Sequence, residues 1–194
     1  LRSDDRETRR ASEVLIAAPT GYHVLSIAML FPHREAFLTY VILATTASLL
    51  IAERGHVPVL RALAWVGIAL PLGAWLAAYP SSPLLAAVAA IVAVYIAHLV
   101  AQVAALRGGQ WRHTDTALIH VNGLGLYGAL YVFLEPRVAH LMAALAVALA
   151  VCNAAIAWWV SAQRTGLALH WGAVAGTLVA IAIAVQFAGS WVVV

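Results

Sequence analysis

Residues 117–134 read ALIHVNGLGLYGALYVFL, a run without a single charged side chain. Crossing the hydrocarbon core of a bilayer takes about 20 predominantly apolar residues in a helix, so this stretch predicts a transmembrane span. Five further runs of the same kind lie at roughly 36–52, 59–79, 83–106, 138–160 and 167–188. The connectors between the six are short and rich in helix-stopping residues: ERGHVP, YPSSP, RGGQWRHTDT, EPR and SAQRTG. The expected fold class is therefore all-α, a polytopic transmembrane helix bundle.

Composition demands the same environment. Hydrophobic residues make up 64% of the 194 residues and charged residues only 10%, against about half and about a quarter in a soluble domain. Mean hydropathy is +0.92, and a globule in water has no interior large enough to hide that much apolar surface. All eleven basic residues are arginine. The absence of lysine excludes a retinal Schiff base, which needs a lysine amine. The single cysteine, Cys152, rules out an internal disulfide and a thiol metal cluster. The pI near 9.4 reflects arginines in connectors and does not point to nucleic acid.

A seventh candidate span, VLIAAPTGYHVLSIAMLF at 14–31, is interrupted by Pro19 and Gly21. If it crosses, nine arginines (2, 6, 9, 10, 54, 61, 107, 112 and 164) share one side and only Arg34 and Arg137 lie opposite. If it does not, the split becomes five against six. Basic residues are retained on the cytoplasmic side, so about seven helices are expected, six of them independent of this argument. Residues 1–13 form a cytoplasmic Arg-rich segment and 14–194 the membrane domain, with the N-terminus inside and the C-terminus outside a bacterial inner membrane. The chain begins without Met or a signal-peptide pattern and stops on SWVVV, which suggests a fragment of a longer protein. Trp75, Tyr79, Trp158, Trp159, Trp171 and Trp191 fall at segment ends, where an aromatic belt is expected.

Few residues inside the runs carry chemistry. Every carboxylate (Asp4, Asp5, Glu7, Glu13, Glu35, Glu53, Asp115 and Glu135) falls in the tail, in connectors or at segment ends. A proton relay or ion-coupled transporter keeps one within the membrane. HExxH, P-loop and GxSxG patterns are also missing, so no catalytic or metal-ligating residue is assigned and an enzyme is disfavoured. Among the intramembrane histidines, His98, His120 and His23 are the candidates for an axial ligand to haem or a chlorophyll-type pigment. The plainer expectation is no cofactor, with the imidazoles bonding neighbouring helices. His113 and Asp115 resemble half a catalytic set, but Thr114 or Asp115 more simply caps a helix beginning near Ala117. Asn122 and Asn153 are expected as hydrogen bonds between helices; with Gln102 they would otherwise line a polar path. Small residues recur every fourth position at Ala168, Gly172, Gly176, Ala180 and Ala184, and again at Ala89, Ala93, Ala97, Ala101 and Ala105. Such rows let helices approach closely in lipid, so Gly172, Gly176 and Ala180 are expected at a packing face.

The segments PHREAFLTYVILATTASLLIAERGHVPVLRALAWVGIAL, YGALYVFL and LALHWGAVAGTLVAIAIAVQFAGSWVVV together resemble a family of many-spanning bacterial membrane proteins, domain of unknown function 2339. The resemblance covers residues 32–194 and rests on the order of helices, with QFAGSWVVV its most specific piece. It implies a longer chain with further spans and carries no catalytic residues. The functional expectation is a non-enzymatic scaffold or accessory subunit whose partners are the bilayer and other transmembrane helices, not nucleic acid. A pigment- or haem-binding subunit is the first alternative and a small-molecule or lipid transporter the second.

Overall fold

A computed structural model describes residues 22–54, 59–109, 111–162 and 164–188. Helix accounts for nearly all of them, and no strand occurs among the described residues. A helical segment at 22–30 (α1) leads through a tight turn into six long helices: α2 (Arg34–Arg54), α3 (Val59–Ala78), α4 (Leu84–Arg107), α5 (His113–Val138), α6 (Met142–Ser161) and α7 (Thr165–Ala188). Each of the six runs recognised in the sequence is one of these helices. The seventh candidate is helical over 22–30; the part containing Pro19 and Gly21 lies outside the described residues, as do Arg2, Arg6, Arg9, Arg10 and Trp191.

Local chemistry explains the breaks. Pro83 sits just before α4, where its missing N–H leaves no helical bond unmade. At the other end the chain leaves α4 through Gly108 and Gly109, and Gly109 takes φ +68°, a conformation that a Cβ disfavours. α5 and α6 are separated only by a 3-10 turn at Ala139–Leu141. Pro136 lies in the last turn of α5, and Val138 departs from helical dihedrals at φ −144°, ψ 45°. That departure reverses the chain, so Asn153 on α6 comes back to the level of Gly123 on α5.

The core has two halves that share α5. One half joins α2, α3, α4 and α5 around Phe37, Ile68, Trp75, Ile91, Leu126 and Phe133. The other joins α5, α6 and α7 around Ile119, Ala146, Trp171, Val174 and Leu178. Gly123 lies where α5 meets α7 closely: a Cβ there would stand 2.7 Å from Val174 Cγ1. Gly125 similarly faces the ring of Trp65.

The small-residue row of α7 turns away from the other described helices. Gly172, Gly176 and Ala180 are exposed, and among the described residues no neighbour lies within 4 Å of where a Cβ on either glycine would stand. Inside the described residues α7 packs instead through Ala168, Trp171, Ala175, Leu178 and Ala182. The reason is helical pitch: a four-residue repeat turns by about 40° per step, so the row starts buried at Ala168 and swings outward. Inward positions follow the seven-residue repeat of Ala168, Ala175 and Ala182. The α4 row divides likewise, with Ala101 and Ala105 buried and Ala89 exposed. The aromatic belt is also only partial. Trp75 is buried and stacks on Phe37 at 5.6 Å, and Trp171 is buried against Trp111. Trp158 is the outward-facing ring, at 82% exposure.

The antiparallel order gathers Arg54, Arg61, Arg107, Arg112 and Arg164 at one end of the bundle, with Arg34 and Arg137 at the other. Contacts agree: Arg107 lies over Trp159 at the α6 terminus, and Arg34 lies over Tyr79 beyond the end of α3.

Candidate functional site

The polar side chains concentrate at the Arg-rich end, in two adjoining groups. The first is an ion-pair network built on Arg61, which lies in the first turn of α3 and is 1% exposed. Its guanidinium makes a two-pronged contact with Asp115: Nε donates to Oδ1 and Nη2 to Oδ2, both at 2.7 Å. Nη1 donates to Glu53 Oε1 at 2.8 Å. Asp115 is fully buried, whereas Glu53 keeps partial access to solvent. Asp115 also accepts the backbone N–H of Arg112 at 2.8 Å, just ahead of α5. The carboxylate thus has a capping role, but from the third residue of a helix that starts at His113 and not near Ala117. Three helices, α2, α3 and α5, are pinned by one guanidinium. A parallel fork of this kind fits arginine and would be lost with lysine.

Sequence reasoning placed Asp115 in a connector and Arg61 near the start of the run at 59–79, and missed their pairing. One signal was available: Arg61 is the only charged residue within the six apolar runs. An ionised group in that setting requires a partner.

The second group surrounds an open pocket of about 790 Å³ where α5 and α7 begin. Its wall includes Trp111, His113, Thr116, His120, Arg164 and His170. His120 Nε2 and His170 Nδ1 lie 3.1 Å apart, with the rings edge to face. One nitrogen donates and the other accepts, so the pair joins α5 to α7. Trp111 Nε1 donates to Thr116 Oγ1 at 3.1 Å, fixing the indole as part of the rim.

The three candidate histidines have separate surroundings. His120 faces His170. His23 on α1 has both nitrogens engaged: Nδ1 meets the Tyr40 hydroxyl at 2.7 Å and Nε2 the Gly67 carbonyl at 3.0 Å. A carbonyl only accepts, so Nε2 carries the proton and Nδ1 accepts from Tyr40. The Gly67 carbonyl is available because Pro71, four residues on, has no N–H to offer it. His98 is buried on α4, and its Nε2 has no hydrogen-bond partner; Gln102 Nε2, one turn along, is in the same state.

Of the two asparagines, Asn122 makes an interhelical bond, donating from Nδ2 to the Tyr95 carbonyl on α4 at 3.3 Å. Asn153 donates to Leu149 within its own helix at 2.8 Å. Among the described residues no group of three or more His, Cys, Asp or Glu side chains is placed to hold a metal ion.

Long apolar helices, outward-facing Leu, Val and Ile side chains and, among the described residues, a charged network at one end define a polytopic all-α membrane protein. No family model, curated protein or solved structure matches the chain.

Proposed function

We propose that this chain is a non-enzymatic membrane module, a scaffold or accessory element that packs against further transmembrane helices. The observation that carries this reading is the outward face of α7. Gly172, Gly176 and Ala180 leave a shallow strip with open space over both glycines. In lipid, helix association depends on close packing of such small residues, since no hydrophobic force separates helix from acyl chain. The resemblance to many-spanning chains supports the same reading, because it implies further helices to meet this strip. The orientation that fits is the Arg-rich end in the cytoplasm of a bacterium, with the bilayer and other helices as partners.

A photo-crosslinking residue at Gly176 is expected to give discrete crosslinked products in native membranes. The same residue at Leu43, an exposed position on α2, is expected to give mainly lipid adducts. Equal products at both positions, or none at Gly176, would count against the module reading.

A cofactor-holding alternative now centres on His98. His23 has both nitrogens bonded, and His120 is turned toward His170. The partnerless Nε2 of His98 is the observation in its favour.

A further inference from the structure

We infer that the pocket between the starts of α5 and α7 binds a phosphate group, carried either by an anionic lipid headgroup or by a soluble phosphate ester. The first ground is the character of the wall. It presents one guanidinium, Arg164, and three imidazoles, His113, His120 and His170, with no Asp or Glu among the lining residues. Asp115, next in the chain to Thr116, and Glu53 are both committed to Arg61. Among the described residues nothing acidic on the pocket wall offsets the positive character that Arg164 brings.

The second ground is backbone geometry. Both α5 and α7 begin at the pocket, with His113 and Thr116 from one and Gly166 and Leu167 from the other in its wall. The first turn of a helix has N–H groups without intrahelical acceptors, and its dipole favours an anion. In α7 the N–H groups of Leu167 and Ala168 turn back to the Arg164 carbonyl, so those of Thr165 and Gly166 are the ones at the helix mouth. The start of α7, a forked guanidinium and imidazole N–H groups supply donors from several directions, which suits a tetrahedral oxyanion.

Size and position are the third ground. About 790 Å³ exceeds what inorganic phosphate needs and has room for the ester attached to it. Trp111, held by Thr116, forms an amphipathic rim of the kind found at the headgroup level. The His120–His170 pair gives the site a reporter. Each ring has one nitrogen outside their mutual bond, so an anion nearby changes the donor pattern of both rings. This inference is independent of the α7 packing face, whose residues lie outside the pocket wall.

The test uses the full chain in phosphatidylcholine nanodiscs with ¹⁵N-labelled histidine. Inorganic phosphate and water-soluble short-chain phosphatidylglycerol are titrated separately while the ring resonances of His120 and His170 are followed. Saturable shifts are expected with at least one probe. Saturation by phosphate identifies a soluble ester as the natural source, and saturation by phosphatidylglycerol alone identifies the lipid headgroup. Arg164→Gln should weaken the response about 10-fold or more, while Arg34→Gln at the opposite end should leave it unchanged. Arg164 is exposed, so the variant is expected to fold. No saturable shift with either probe, or equal weakening by Arg34→Gln, would overturn the proposal.

Discussion

Arg61→Met is expected to destabilise the bundle by about 3–5 kcal/mol, because it strands the fully buried Asp115 carboxylate without its counter-charge. Asp115→Asn should cost a comparable amount from the other side, because a guanidinium that is 1% exposed loses the carboxylate its fork closes on. Glu53→Gln should be much milder, about 1 kcal/mol, since that carboxylate is partly solvated. The informative variant is the double change Arg61→Met with Asp115→Leu. Burying two charges is costly, and an apolar pair of similar volume often replaces them at little loss. The double variant should recover most of the stability, with about 1 kcal/mol still missing because Asp115 also accepts the Arg112 N–H. Reversible unfolding in mixed micelles reads all four. Single and double variants that lose stability additively would show that the network is not a coupled unit.

Gly123→Ile is the second large effect expected. A Cβ at this position already stands 2.7 Å from Val174 Cγ1, and the β-branched valine has little rotamer freedom to retreat. The backbones of α5 and α7 must separate, at a cost of roughly 2–3 kcal/mol. Gly176→Ile places the same bulk on the outward face of α7, where no described neighbour lies within 4 Å. Its effect on unfolding of the isolated chain should stay within about 0.5 kcal/mol. Comparable losses at the two glycines would mean that α7 turns a different face toward α5.

That contrast shows where sequence reading stops. Each of the six apolar runs is a helix, because length without charge suffices to recognise a span and the connectors carry recognisable stops. Which face of each span turns inward is a different matter. The side facing lipid is as apolar as the side facing the core, so the periodicity that orients a soluble helix is weak here. Leu169 and Leu178 on α7 are the same residue type, yet one is 70% exposed and the other fully buried. A row of small residues is visible at four-residue spacing, but the helix rotates it away from the other described helices. Gly123 was one glycine among three in its run, and only the position of Val174 distinguishes it.

The candidate site was legible in parts. His120 and Asn122 stood out as polar residues in an apolar run, and Asn122 does bridge α5 to α4. The partner of His120 lies 50 residues away and that of Arg61 lies 54 residues away. Neither distance leaves a trace in local spacing. The isolated charge of Arg61 marked one member of the network without identifying the other. The pocket likewise depends on two helix starts meeting, which is a property of the bundle and not of either segment.

The orientation proposed for the membrane-spanning bundle puts its Arg-rich end in the cytoplasm. Its most direct test is sided labelling of single cysteines in a Cys152→Ser background. Gly109→Cys lies in the connector after α4 and Ser81→Cys in the connector before it. An impermeant maleimide applied to intact spheroplasts should label position 81 and spare position 109. In inverted vesicles the pattern should reverse. Labelling of both positions from the same side would contradict the account.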